Sequence, residues 1–385
     1  MATLTSRERV VRALAHQEPD VVPIDIGGTA AWFTDVAYER MKKHLGLASE
    51  GDLFRLGENA AHYDDKLLDM LDTDYRHVYL YPAKVEWEAW RASDKTRFVD
   101  EWGIEHRRVP SHYGGYNWER VSYPLAQATI AELDDFAWPD PTDPTRVEGL
   151  AKRAKYLWQE TDYAVAARSV SHGLLETATE LRGMEQFLVD MMLDKPFAHK
   201  LIQKIFEVQV GLYGALLDAV GPYVQVVQTA DDYGSQNGPL ISPDTYREMI
   251  MPYRQELNRF IRSKAPQAYI QHHTCGSVYK LLPDLIETGI DILNPVQPLA
   301  KDMDTQRLKA EFGHKITFHG AVDLQYAMTG GVEDVRNEVK LRISHLAPGG
   351  GYILATCSNF QADVPPENTL AMIEAARQYG RYPIS

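Results

Sequence analysis

Cysteine is nearly missing from this chain: its 385 residues include two, Cys275 and Cys357. Two thiols cannot staple a domain of this length, and their scarcity fits a reducing compartment. Long apolar runs are missing as well. The nearest approach to a membrane span, Val208 to Val227, is interrupted by Gln209 and Asp218. Basic charge is in deficit, with 40 Lys and Arg against 54 Asp and Glu and a net charge of −14. That balance argues against nucleic acid and against anionic membrane surfaces, both of which attract basic patches. The opening Met1-Ala2-Thr3-Leu4-Thr5-Ser6-Arg7-Glu8-Arg9 offers no apolar signal segment. The expectation is therefore a soluble, cytoplasmic protein. No Gly-x-Gly-x-x-Gly turn and no Gly-x-Ser-x-Gly elbow occurs, and Gly349-Gly350-Gly351 precedes a strand-like run instead of following one. Neither a dinucleotide cradle nor a serine nucleophile is indicated.

What is present suits one large α/β domain over residues 1–385, since 44% of residues are apolar. Ser6 as N-cap opens a helical extension that ends near Glu18-Pro19. Strand-like runs follow at Val21–Ile26, Arg76–Leu80, Ala164–Ser169 and Tyr223–Thr229. Four more lie at Ala268–His272, Ile292–Pro295, Ile316–Gly320 and Tyr352–Thr356. Helical spacing fills the gaps, as in Asp35–Leu45, Tyr63–Leu71, Met184–Met192 and Phe197–Leu217, and in a helix led by Ser242-Pro243 toward Phe260. Eight strands alternating with helices predict a (β/α)₈ barrel, with a doubly wound open sheet as the alternative. Residues 81 to about 145 break the rhythm. Trp87, Trp90, Trp102 and Trp118 crowd there among glycines and short alternating runs, which predicts a β-hairpin excursion after the second strand. It reads either as a decorated loop packed on the barrel or as a lid that walls a pocket.

Both cysteines fall at strand ends. His273 and Cys275 are two apart after Ala268–His272, so strand alternation sends them to one side, and Cys357 follows the last strand. Lone cysteines are most often small buried hydrophobes. Here one nitrogen and two sulfurs would converge on the C-terminal rim, which suits zinc with one coordination position left open. The same rim carries His172, Asp231, Asp232, Asn294, Gln297, His319, Asp323 and Asn359. Of these, Asp231, Asp232, His172 and His319 are the candidate catalytic residues, although some would only orient a zinc ligand.

With those residues in view, the chain resembles the uroporphyrinogen decarboxylase superfamily over nearly its full length. The resemblance is carried by Ser6-Arg7-Glu8-Arg9 through Pro19-Asp20-Val21-Val22-Pro23, by Asp231-Asp232-Tyr233-Gly234, and by His273-Thr274-Cys275-Gly276. Asn294-Pro295-Val296-Gln297, Phe318-His319-Gly320-Ala321-Val322-Asp323 and Val364-Pro365-Pro366-Glu367-Asn368 extend it. The family's decarboxylases carry an arginine-rich N-terminal motif for a multiply carboxylated tetrapyrrole. Here Asp25-Ile26-Gly27-Gly28-Thr29 stands in that region, and no arginine follows until Arg40. The resemblance therefore implies the corrinoid-dependent methyltransferase branch, whose zinc motif matches His273, Cys275 and Cys357. It implies Zn²⁺, a small methylated substrate and a separate corrinoid (cobalamin) protein as partner; a homodimer is compatible with it. The aromatic insertion favours a methoxy donor, with the methylcorrinoid protein:thiol methyltransferase as alternative and a zinc-free decarboxylase or lyase of the superfamily as a further one.

Overall fold

The computed structural model describes residues 3–48, 63 and 65–384. The connection between the helical runs expected at Asp35–Leu45 and Tyr63–Leu71 lies for the most part outside them. The chain opens with the helix Ser6–Leu14. Its cap is Thr5, one residue before the expected Ser6, because Glu8 stands three positions after Thr5 and closes a reciprocal capping box.

In chain order the strands are β1 (Tyr75–Val78), β2 (Arg97–Val99), β3 (Glu105–Pro110), β4 (Tyr116–Arg120), β5 (Ala164–Ala167) and β6 (Val226–Ala230). They continue with β7 (Gly234–Ser235), β8 (Gly238–Pro239), β9 (Tyr269–His273), β10 (Ile292–Val296), β11 (Thr317–Val322) and β12 (Tyr352–Thr356). Seven of these form one parallel sheet in the order β1-β5-β6-β9-β10-β11-β12. Every residue of β5, β6, β10, β11 and β12 is buried, as expected of parallel strands covered on both faces. The fold is the TIM-barrel type that the alternation predicts, not an open doubly wound sheet.

The eighth run, Val21–Ile26, makes bridges instead of a ladder. Leu354 donates to the Pro23 carbonyl at 2.9 Å, Asp25 donates to the Leu354 carbonyl at 3.0 Å, and Asp74 donates to the Ile24 carbonyl at 2.9 Å. These bonds join β12 to the entry of β1. Pro23 has no N–H to give, so a regular ladder cannot form there. The helix expected from Ser242-Pro243 to Phe260 is two helices, Pro243–Met249 and Met251–Lys264. Pro252 in the first turn of the second starts it afresh.

The insertion is more than a hairpin. It holds the helix Lys84–Ala92 and a three-stranded antiparallel sheet, β2-β3-β4. Trp90, Phe98 and Trp118 form a small core of their own, with ring centroids 5.1–5.6 Å apart in edge-on contacts. Arg182 of the barrel helix Leu174–Arg182 donates to the carbonyls of Leu125, Ala126 and Ala128, and Arg120 pairs with Glu180. The insertion is thereby clamped over the rim after β5.

Candidate functional site

Parallel register decides what meets at the rim. His273 ends β9, paired with Ala230 of β6 on one side and Asn294 of β10 on the other. The Asn294 side-chain oxygen lies 2.8 Å from His273 Nδ1, while its nitrogen lies 2.7 Å from His319 Nδ1. Asn294 thus accepts the Nδ1–H of His273 and leaves Nε2 facing the rim. That Nε2 is 3.5 Å from Cys275 Sγ and 3.3 Å from Asp232 Oδ1. Asp232 Oδ1 also accepts the Cys275 N–H at 2.7 Å, fixing the loop that presents the thiol.

Among the described residues, Asp232, His273 and Cys275 each bring a ligand atom within 4.8 Å of the others. Cys357 is outside that trio but close by. Its thiol is pushed up to about 12: burial does most of this, the Leu324 N–H opposes it, and Asp323 and Cys275 add to it. Gln297 ties the two thiol loops together, accepting the Gly276 N–H at 2.9 Å and donating to the Cys357 carbonyl at 3.3 Å. Gly276 itself has φ +79°, and a Cβ there would come within 2.6–2.8 Å of the backbone of Gly234 and Ser235.

Asp231 and Asp232 face opposite ways, as adjacent residues leaving a strand should. Asp231 is fully buried and accepts the N–H groups of Leu174, Leu175 and Glu176, the first turn of the helix Leu174–Arg182. It also accepts from Tyr233 Oη at 2.9 Å and pairs with Arg254 at 3.4 Å. This aspartate secures a helix end. Asp232 faces His273; burial opposes its ionisation, but His273 and the Cys275 N–H outweigh that and bring it down to about 2.

His319 is wholly buried and reaches His273 only through Asn294, while its Nε2 lies 3.0 Å from Asp25 Oδ2. Asp25 is a residue that the sequence did not single out. Fully buried, it lies between His319 and His77, whose Nε2 is 3.3 Å from its Oδ1. Burial works against its charge, but the two imidazoles outweigh burial and hold it below the usual carboxylate range. Nothing local in Val21–Ile26 signals this role. Asp323 accepts the N–H groups of Gln325, Tyr326 and Ala327, so it caps a turn.

His172 belongs to a second group. Its Nδ1 is 2.9 Å from Glu180, and ligand atoms of His172, Glu176 and Glu180 all lie within 4.8 Å of one another. Glu176 is pushed up to about 8, by burial first, with Glu180, Asp232 and Asp231 adding like charge and His172 opposing. His172, Glu176 and Glu180 line a cavity of about 890 Å³ between the insertion and the rim, which Trp32, Trp102 and Trp118 also wall. Trp87 and Trp90 do not face it.

The family model for uroporphyrinogen decarboxylase matches residues 117–379. The chain belongs to the uroporphyrinogen decarboxylase family. The family's match takes in every rim residue described above except Asp25 and His77. A methylated-thiol–coenzyme M methyltransferase of Methanosarcina mazei is 25% identical over 268 residues, 68% of this chain and 67% of that one. A uroporphyrinogen decarboxylase of Legionella pneumophila is 24% identical over 197 residues, 51% of this chain and 52% of that one. The chain thus spans about half the length of that decarboxylase. A solved structure of a methyltransferase from Methanosarcina mazei superposes with a TM-score of 0.64 at 17% identity, covering 98% of this chain and 99% of that one. That likeness concerns the fold.

Proposed function

We propose that this chain is a zinc-dependent methyltransferase that passes a methyl group from a small methylated compound, a methoxy compound foremost, to the corrinoid of a partner protein. The observation that carries this reading is the rim around His273: a tautomer fixed by Asn294, and Nε2 turned toward Cys275 Sγ and Asp232. An imidazole held at Nδ1 by an amide oxygen is the arrangement that metal-ligating histidines use. The donor set fits zinc, with His273, Cys275 and Cys357 as the residues that would hold it and Asp232 beside them. Bound there, the metal would act as a Lewis acid on the heteroatom that carries or receives the methyl group. The chain's own residues do the rest. Asn294 and, through it, His319 hold the imidazole, Asp232 and Gln297 hold the two thiol loops, and the insertion walls the cavity beside them.

The relative from Methanosarcina mazei, named for a methylated thiol and coenzyme M, supports methyl transfer and also favours the thiol side as a second reading. A zinc-free decarboxylase acting on a multiply carboxylated substrate is disfavoured because the two arginines among the described cavity residues, Arg120 and Arg146, are already paired with Glu180 and Glu101. The test is to incubate the protein with reduced corrinoid protein and methoxylated aromatics, methylamines or methylthiols, following methyl-corrinoid formation by absorbance. Reaction with a methylated donor is the expected result. Rapid consumption of preformed methyl-corrinoid with a thiol, and no reaction with any donor, would place the protein on the thiol side.

A further inference from the structure

The cavity's charges do not balance among themselves. Among the described residues its two guanidinium groups are both spent: Arg146 on Glu101, with a second bond to the Asp140 carbonyl, and Arg120 on Glu180. Its two imidazoles are spent as well, His106 on Asp100 at 2.8 Å and His172 on Glu180 at 2.9 Å. Glu119 reaches outward to Arg107 at 3.6 Å. That leaves Glu86, on the insertion helix Lys84–Ala92, and Glu176, on the helix Leu174–Arg182, with no arginine or lysine ion pair among the described residues. Half-buried carboxyls placed like this hold their protons, and a bound cation would favour their ionised form. Trp32, Tyr81, Trp102, Trp118 and Tyr123 line the same cavity. Aromatic rings with acidic groups beside them are the chemistry that holds organic cations, above all alkylated ammonium groups.

We infer that the cavity binds a small organic cation, with its onium group among the tryptophans and its charge shared between Glu86 and Glu176. The inference narrows the donor class for the methyl transfer proposed above and rests on that reading only for the link to catalysis. Glu176 supplies the link in space, since its charge acts on Cys275 and that of Asp232 acts on it. The inner wall of the cavity therefore borders the His273 rim. The Glu86 carboxyl is raised to about 8 by burial and by the charges of Glu101 and Asp100, which outweigh the Arg146 charge and the Glu101 N–H. The protein's net charge of −14 favours approach of the same ligand class.

The experiment compares near-isosteric probes by calorimetric titration. They are 3-hydroxyphenyltrimethylammonium, neutral 3-tert-butylphenol and anionic 3-methoxybenzoate. The expected result is at least tenfold tighter binding of the cation than of the neutral isostere, and weaker binding still of the anion. In Glu86→Gln the preference should fall to threefold or less while 3-tert-butylphenol binds as before. Equal or tighter binding of the neutral or anionic probe to the wild-type protein would overturn the inference, whether or not the variant folds. Adding reduced corrinoid protein separates the two claims. A cation that binds selectively yet forms no methyl-corrinoid, when no other donor reacts either, counts against methyl transfer alone. A methoxy compound that reacts while the cation fails to bind counts against the cation site alone.

Discussion

Two neighbouring aspartates carry opposite duties. Asp231 holds three N–H groups of one helix end, a tyrosine and a buried arginine, whereas Asp232 holds the Cys275 loop and faces His273 Nε2. Removing one side of such a buried network strands the other. Asp231→Ala should therefore cost about 3–5 kcal/mol in denaturant unfolding. Asp232→Asn should unfold nearly as the wild type does, yet lose metal affinity and turnover. Equal losses in both assays for both variants would refute the division. Asn294→Ala frees the His273 ring and should weaken metal binding roughly 10–100-fold with the fold intact, read by competition with a chelator. Residue identity made part of this legible: a His-x-Cys pair at a strand end with a distant cysteine is visible in the sequence. Asp25 was not, because one acidic residue inside an apolar run says nothing until β1 brings His77 and β11 brings His319 to its sides.

At the level of elements, the rim depends on loops that only one backbone conformation permits. Gly276 turns the chain directly after Cys275 at a positive φ, hard against β7. Gly276→Ala should displace that loop and lower metal content more than it lowers thermal stability; a fall in stability without metal loss would contradict this. The strands themselves were readable from their apolar runs, and each expected run has its counterpart. The first run differs in kind because Pro23 denies it a ladder, and the long helix after Ser242 divides at Pro252. The insertion was the least legible element. Its tryptophans signalled aromatic packing, but spacing alone could not tell a private core, Trp90 with Phe98 and Trp118, from a cavity wall, Trp102 and again Trp118.

The whole molecule is acidic, and no helix among the described residues is long and apolar enough to cross a membrane. Acidity gathered under the insertion has a consequence for stability. Glu86 is raised to about 8 in the folded protein, by burial and then by Glu101 and Asp100, while an unfolded glutamate titrates near about 4.3. Between those values the folded protein retains a proton that the unfolded chain has released, so stability falls as pH climbs from about 4.5 through about 8. Glu86→Gln removes that loss, and its melting temperature should exceed that of the wild type by a margin that grows from pH 5 to pH 8.5. A margin independent of pH would mean that Glu86 titrates normally. The central claim, a metal held by the His273 rim, is tested most directly by elemental analysis of protein purified without chelators. The account predicts about one zinc per chain in the wild type and loss of most of it in Cys275→Ala and in Cys357→Ala. Zinc-free wild-type protein, or full zinc in both variants, would contradict it.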